Sequence, residues 1–219
     1  MQHEMCSRQR IVAAARHLFA TQGFHQTAMA DLASAAGVSV GQIYRLFAGK
    51  SDLILAIVHE DADDKLAEMT RLCDKVTSGE ETVEAGFTQL AARALSKGDE
   101  ALSFEILAEA HRNADVAATI AKLCGRYRAI IRELACAANP RLSDAELAAA
   151  EELLLAVMFG LGHRALSCPA LSVEETAQQT ARMILAALDA DDPIEQSAPS
   201  ISSRSLTRDV LTDAAAPKC

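Results

Sequence analysis

The stretch AGVSVGQIYRLFAGKSDL, residues 36–53, has the residue types of a segment that lies against a nucleic-acid backbone. It combines glycines with one tyrosine, Tyr44, and with two basic residues, Arg45 and Lys50. Hydroxyl, guanidinium and ammonium groups are common donors to phosphate oxygens. The whole chain, however, carries a formal net charge of -9, which is unusual for a protein that binds nucleic acid.

The distribution of charge along the chain removes this conflict. Residues 1–50 hold five basic and two acidic side chains, a net of +3, whereas residues 51–190 hold 13 basic and 23 acidic ones, a net of -10. Such asymmetry permits phosphate contact at one end, while the acidic remainder stays soluble and repels non-specific nucleic acid. A net positive charge is therefore confined to the N-terminal part of the chain.

Three short helices are predicted in this basic segment. Apolar residues at helical spacing indicate a helix over about 7–22, which Gly23 ends, and Thr27 is expected to cap a second helix that ends at Gly37. Ser39 opens the third helix, because Ser39 and Gln42 have the spacing of a capping box. A tight glycine turn between two helices is typical of a helix-turn-helix, although a three-helix bundle that binds no nucleic acid has the same pattern.

The composition favours an all-α fold of about nine helices. Half of the residues are apolar but only 4% are aromatic, and no window approaches the ~18 to 20 apolar residues of a membrane span. With no apolar leader at the N-terminus, we expect a cytoplasmic protein without a membrane partner. Later helices are expected at about 50–76, 80–96 (ended by Gly98), 99–112, 115–138, 143–167 and 173–189, before a disordered tail over 191–219.

The run from Ile11 to Leu53 resembles the N-terminal DNA-binding domain of the TetR family of transcriptional regulators. The resemblance covers about a fifth of the chain and is specific because several elements agree in order and spacing. These elements are Leu18-Phe19, Gly23-Phe24, Thr27, Asp31-Leu32-Ala33, Ala36-Gly37-Val38-Ser39, Gly41, Ile43-Tyr44, Phe47, Lys50 and Asp52-Leu53. It implies a DNA-binding domain over 1–50, with the helix-turn-helix at about 28–47, and a helical effector-binding and dimerisation domain over 51–190.

The resemblance places the DNA contacts on and around the third helix. Gln42 is the best candidate for a base contact, because its amide can pair with the N6 and N7 of adenine, but it can equally serve as the capping partner of Ser39. Residues at positions that usually touch phosphate are Thr27, Tyr44 and Lys50. The full set of expected DNA-binding residues is Thr27, Ser39, Val40, Gln42, Tyr44, Arg45 and Lys50.

One position departs from the family pattern. The family commonly has Tyr or His immediately before the phenylalanine at Phe47, and here that residue is Leu46. A phosphate contact is lost at this position, and the neighbouring Arg45 is placed to compensate. Gly41 lets the helix approach the groove wall closely, or simply avoids a clash with the preceding helix.

The acidic remainder is expected to bind a small effector and to form a homodimer. The segments EELLLAVMFGLGHRALS and ETAQQTARMILAAL are apolar over more of their surface than one protomer covers, although a fully buried central helix has the same pattern. A mostly apolar pocket would suit a lipophilic effector. Candidate effector-binding residues are Phe104, His111, Cys124, Tyr127, Met158 and His163, each of which can also be ordinary core.

These features predict a repressor that binds a pseudo-palindromic DNA operator as a homodimer and that a small effector releases. A regulator of the same fold that senses oxidants or electrophiles through Cys124 or Cys168, and a helical interaction module that no longer binds DNA, are the alternatives. No catalytic motif or metal-ligand spacing occurs, so we expect no enzyme activity, catalytic residue, metal site or cofactor. The six cysteines form no CxxC pair, which predicts reduced thiols.

Overall fold

The computed structural model describes residues 2–96 and 100–189 and shows an all-helical fold within them. The helices are α1 (Gln2–Gln22), α2 (Met29–Ala36), α3 (Val40–Leu46), α4 (Lys50–Thr77), α5 (Val83–Leu95), α6 (Glu100–Ala110), α7 (Ala114–Ala138), α8 (Asp144–Gly162) and α9 (Val173–Leu188). A short 3-10 helix, Arg164–Ser167, follows α8. The predicted fold class, with nine α-helices in the described residues, is confirmed.

Polar caps and glycines set most of the helix ends. Ser39, Thr82, Asn113, Ser143 and Ser172 each accept a hydrogen bond from a backbone N–H in the first turn of the next helix. Glu146 and Glu175 complete capping boxes, and their hydrogen bonds with Ser143 and Ser172 lower the pKa of both carboxyl groups. The stops predicted at Gly23 and Gly37 are confirmed, since both have positive φ, and Gly79 after α4 has positive φ as well.

Several predicted boundaries need correction. Helix α1 begins at Gln2 rather than near Ser7, and the helix predicted over 143–167 ends at Gly162, where a 3-10 turn takes over. Helix α5 starts at Val83 because Thr82 is its cap. The stop predicted at Gly98 and the tail predicted over 191–219 lie outside the described residues.

The two larger apolar cores of the described residues both include part of α4, and a small third one joins α5 and α9. The first core packs α1, α2, α3 and the start of α4 against Leu102 of α6 and Val116 of α7. The second packs the later part of α4 with α5, α7, α8 and α9 around Phe87 and Leu134, both fully buried. Helix α4 therefore connects the helix-turn-helix region with the rest of residues 2–189. None of the described helices combines the length and the hydropathy needed to cross a bilayer.

Candidate nucleic-acid interface and effector cavity

The turn between α2 and α3 has the geometry that the sequence predicts. Gly37 has φ +63° and donates its N–H to the end of α2, and Ser39 is the N-cap of α3. The Ser39 hydroxyl accepts from the backbone N–H of Gln42 at 3.1 Å. This cap fixes the start of α3 immediately after the turn.

Helix α3 has one buried and one exposed face. Ile43 is fully buried and Phe47 nearly so, whereas Val40 and Tyr44 are 38% and 55% exposed. Arg45 is exposed next to them. Val40, Tyr44 and Arg45 therefore lie on the accessible surface of α3, where the sequence predicts DNA contact. Leu46, the departure from the family pattern, packs against the first core.

Gln42 forms only half of the predicted capping box. Its backbone N–H reaches Ser39, but its side-chain Nε2 donates to the hydroxyl of Ser7 in α1 at 2.9 Å. Ser7 is fully buried, so this bond ties α3 to α1. The side-chain amide therefore does not cap its own helix but is held by a residue 35 positions earlier, and its contact with a base stays a prediction.

Thr27 was assigned two roles that its position does not fit. The N-cap of α2 is Ala28, whose N–H donates to the Asp31 carboxylate at 3.2 Å. The Thr27 side chain is 1% exposed, and its hydroxyl donates to the carbonyl of Gly23 at 2.8 Å. The capping assignment is therefore wrong, and we remove Thr27 from the candidate phosphate contacts because its hydroxyl points into the protein.

Lys50 also points inward. Its Nζ donates to the carbonyl oxygens of Phe24, His25 and Thr27 at 2.8, 3.2 and 3.1 Å, and it lies 4.9 Å from the centroid of the Phe24 ring. An ammonium group has three donors, and all three are engaged. Lys50 thus holds the connection between α1 and α2 rather than offering its charge to a phosphate.

Two further arginines, Arg8 and Arg10, lie next to α3, although the sequence did not indicate them as DNA contacts. The guanidinium of Arg8 covers the ring of Phe47 at 4.7 Å from its centroid. Arg10 lies beside the turn, with Nη1 3.5 Å from the point where a Cβ on Gly37 would stand. The net charge of residues 1–50 was the available signal, but it does not show which basic residues face outward.

A cavity of about 640 Å³ lies between α1, α4, α5, α6, α7 and α8. Its apolar lining includes Met69, Leu90, Ile106, Ile131 and Leu155. Charged side chains also line it, namely Arg16, Asp61, Lys65, Glu68, Arg93 and Glu100. The lining of the cavity therefore combines apolar and charged side chains.

Four of the six predicted effector residues line this cavity, namely Cys124, Tyr127, Met158 and His163. Phe104 and His111 do not. Phe104 is 44% exposed and packs against the imidazole of His163, with 4.6 Å between ring centroids. His111 is exposed just after the end of α6. We remove both residues from the set that lines the cavity.

The imidazole of His163 is held on both sides. Its Nδ1 lies 2.9 Å from the carbonyl oxygen of Phe159, and its Nε2 lies 3.3 Å from the hydroxyl of Ser103. A carbonyl only accepts, so Nδ1 donates to Phe159, while Nε2 is within hydrogen-bonding distance of the Ser103 hydroxyl. Burial raises the pKa of Tyr127, which keeps its phenol neutral. The phenol of Tyr127 is thus an uncharged hydrogen-bonding group in the lining of the cavity.

An ion pair between distant residues joins the cavity to the helix-turn-helix region. Arg16 of α1 donates from both Nη atoms to the two oxygens of Asp61 of α4, each at 2.8 Å. The pair is bidentate, the geometry in which arginine and carboxylate bind best. Both residues line the cavity, so a ligand there contacts the connection between α1 and α4.

Two of the described cysteines, Cys73 and Cys124, have thiols with raised pKa values. Burial raises the pKa of Cys124, and the nearby charge of Arg128 only partly opposes this. Burial and a hydrogen bond to Glu133 raise the pKa of Cys73 to about 12. Since the thiolate is the reactive form, both thiols are less reactive than ordinary ones. Within the described residues, no cluster of three or more His, Cys, Asp or Glu could hold a metal ion.

The rates at which the cysteines are alkylated should follow their exposure and their pKa values. At pH 7.5, iodoacetamide should modify the exposed Cys6, Cys136 and Cys168 first, Cys124 more slowly and Cys73 last. A rise in pKa from 9.0 to about 12 lowers the thiolate fraction of Cys73 about 1,000-fold. Peptide mass spectrometry over time measures the rates, and a urea-unfolded sample is the control in which Cys73 should react like the others. Early modification of Cys124 would favour the cysteine-sensing alternative.

Apolar side chains remain exposed on α8 and α9. Leu153 and Met183 are 66% and 73% exposed, and Val157 is 42% exposed one turn after Leu153. Both helices pack on α5 through their other faces. We call Leu153, Val157 and Met183 the α8–α9 apolar face. The sequence predicts that these helices present apolar surface beyond one protomer's core.

The chain is similar to known bacterial transcriptional regulators. Residues 11–57 match the family model of bacterial regulatory proteins, tetR family. The HTH-type transcriptional regulator UidR of Escherichia coli K12 is 34% identical over 114 residues, which are 52% of this chain but only 57% of that protein. The structure of Salmonella enterica GusR has 27% identity and a TM-score of 0.61, covering 82% of this chain and 95% of that one.

A more distant structure shares the fold. FadR from Bacillus subtilis, solved in complex with stearoyl-CoA, has 16% identity and a TM-score of 0.68 over 82% of this chain and 98% of that one. The family model falls on α1 to α4, where the turn and the exposed face of α3 lie. Residues 11–57 are therefore similar to the tetR family of bacterial regulatory proteins, and the described part of the chain shares the fold of GusR and FadR.

Proposed function

We propose that the chain is a ligand-responsive repressor that binds a pseudo-palindromic operator as a homodimer and is released by a small, largely apolar effector. The observation that carries the DNA-binding part is the exposed face of α3, with Val40, Tyr44 and Arg45 held at the surface directly after a capped glycine turn. A helix presented in this way fits the major groove. Residues 1–50 are the proposed DNA-binding domain, and residues 51–190 the proposed effector and dimerisation domain.

The α8–α9 apolar face supports the homodimer. Exposed leucine, valine and methionine side chains on α8 and α9, which both pack on α5, gain free energy when another surface covers them. An isologous contact between two copies of the same face closes the assembly. Two α3 helices related by a two-fold axis then read two half-sites, so the operator is a pseudo-palindrome.

The cavity supports regulation by a ligand. The cavity volume of about 640 Å³ is within the usual size range of small-molecule sites, and the apolar part of its lining suits a lipophilic ligand. FadR shows that this fold can hold an acyl-CoA ligand. A ligand that prefers one arrangement of the Arg16–Asp61 pair shifts the population of DNA-binding conformations without touching DNA. The raised pKa of Cys124 disfavours release by thiol chemistry.

The proposal is tested by selection from a random duplex library. The full chain should enrich a pseudo-palindromic sequence, and Tyr44→Glu should weaken binding to the selected duplex. A carboxylate set against phosphates costs about 2 kcal/mol or more, equivalent to about 30-fold in Kd. Fluorescence anisotropy at fixed salt measures the loss. Thr70→Glu, which adds the same charge on an exposed position of α4, should retain wild-type affinity.

Release by an effector needs a separate measurement. A panel of lipophilic compounds is screened for those that raise the Kd of the selected duplex at fixed salt. By reciprocity, a true effector should bind more weakly to the DNA complex than to free protein, by the same factor. Enrichment of no sequence would contradict the DNA-binding part. A selected duplex that no compound releases would contradict only the ligand-responsive part.

A further inference from the structure

We propose that the amino-terminal part of α1 is a second component of the DNA interface, in which Arg8 and Arg10 bind phosphates beside α3. This inference rests on the proposed DNA-binding function and adds a contact surface outside the helix-turn-helix. We call Arg8 and Arg10 the α1 arginine pair. The occupant is the backbone of the same duplex that α3 enters.

The α1 arginine pair is fixed against the helix-turn-helix. Ser7, fully buried, accepts from Nε2 of Gln42 at 2.9 Å and so joins the two helices next to the pair. Arg8 is stacked on Phe47, 4.7 Å from the ring centroid, and Arg10 lies beside the Gly37 turn. When α3 binds in a groove, these arginines are therefore carried to the same duplex.

The two arginines lie near opposite ends of α3. Gly37 comes just before α3 and Phe47 directly after it, and Arg10 and Arg8 lie beside these two residues. A recognition helix lies in the major groove, which the phosphates of both strands border. We therefore expect the arginines to lie near the DNA backbone when α3 is in the groove.

The charges of this region also point to the α1 arginine pair. Of the five basic residues in 1–50, Arg16 is paired with Asp61, and Lys50 is bound to three carbonyls. Arg8, Arg10 and Arg45 have exposed side chains. The nearby carboxylate of Asp31 accepts from Ala28 N. Phosphate contacts supply most of the electrostatic affinity for DNA, and a single arginine, Arg45, would supply few of them.

Arginine chemistry suits this role. A guanidinium stacked on an aromatic face keeps its N–H groups at the edge of its plane, where they can bind a phosphate bidentately. The contact with Phe47 holds the guanidinium of Arg8 in place before DNA binds, which reduces the conformational entropy lost on binding. Phosphate contacts position the protein without reading sequence. We therefore expect the α1 arginine pair to add affinity without base preference.

The test measures how DNA affinity depends on salt. The probes are the duplex selected by the wild-type protein and a non-specific duplex of equal length. A homodimer has two copies of each arginine, so Arg8→Met or Arg10→Ala should each reduce the slope of log K against log[salt] by about 1.8. Both duplexes should be weakened in parallel. Arg8→Met retains an apolar stem over Phe47, so folding is preserved.

Two controls make the result specific. Arg71→Ala removes the same charge from an exposed position of α4 and should leave the slope unchanged. Arg8→Lys retains the charge and should recover most of the slope lost in Arg8→Met. Wild-type slopes in both Arg8→Met and Arg10→Ala, in protein that still selects its duplex, overturn this inference alone. Failure of the wild-type protein to select any duplex overturns the proposed function as well.

Discussion

Replacing Leu153 and Met183 together with glutamate should separate the proposed homodimer and reduce affinity for the proposed pseudo-palindromic operator by about 100-fold or more. Both side chains are mostly exposed in one protomer, so the change leaves the protomer's own core intact. In an isologous interface the same face occurs on both partners, and four new carboxylates would meet across it. Desolvating charges against one another is strongly unfavourable.

The large effect on DNA follows from the loss of effective concentration. In a dimer, binding of one α3 helix holds the second near its half-site, and a monomer lacks this advantage. Binding to an isolated half-site should change little. Sedimentation velocity measures the oligomeric state, and anisotropy with full-site and half-site duplexes measures the two affinities.

The matched control for this variant adds the same charge elsewhere. Ala67 and Thr70 are exposed on α4, and the double change to glutamate there should leave both the dimer and the DNA affinity intact. A dimer that survives the Leu153 and Met183 changes would move the interface away from the α8–α9 apolar face. A monomer that keeps full affinity for the pseudo-palindrome would contradict two-fold operator binding.

Local signals predicted the helices well. Ser39, Ser143 and Ser172 cap helices because a short hydroxyl satisfies a free backbone N–H within three residues, which the sequence displays directly. Gly23 and Gly37 end helices because they adopt positive φ at little cost. The 3-10 turn after Gly162 was missed, since the apolar pattern continues through residues 164–167 while the hydrogen bonding changes.

Side-chain partners across the fold could not be predicted in the same way. Gln42 was correctly placed at the start of α3, but its partner Ser7 lies on another helix. Arg16 and Asp61 are 45 residues apart, and nothing local to either residue indicates the other. Six helices form the cavity, and the sequence does not show which face of each helix borders it. Four of the predicted residues line the cavity, whereas Phe104 packs against His163 instead.

The inward position of Lys50 leads to the second large prediction. Lys50→Met should destabilise the protein by about 2 to 3 kcal/mol, because hydrogen bonds from charged groups contribute about 1.5 to 3 kcal/mol and three carbonyls lose their donor together. Methionine keeps an apolar stem of similar length, so packing is largely retained. Urea unfolding followed by circular dichroism measures the change. Lys75→Met, on the exposed end of the same helix, should cost less than about 0.5 kcal/mol.

The salt dependence of DNA binding separates this role from a phosphate contact. If Lys50 bound phosphate, Lys50→Met would reduce the slope of log K against log[salt] by about 1.8 per dimer and leave stability unchanged. We expect the opposite pattern, a lower unfolding free energy with the slope retained in the folded protein. The carbonyls of Phe24, His25 and Thr27 lie between α1 and α2, so Lys50 supports the DNA-binding surface by holding this connection in place.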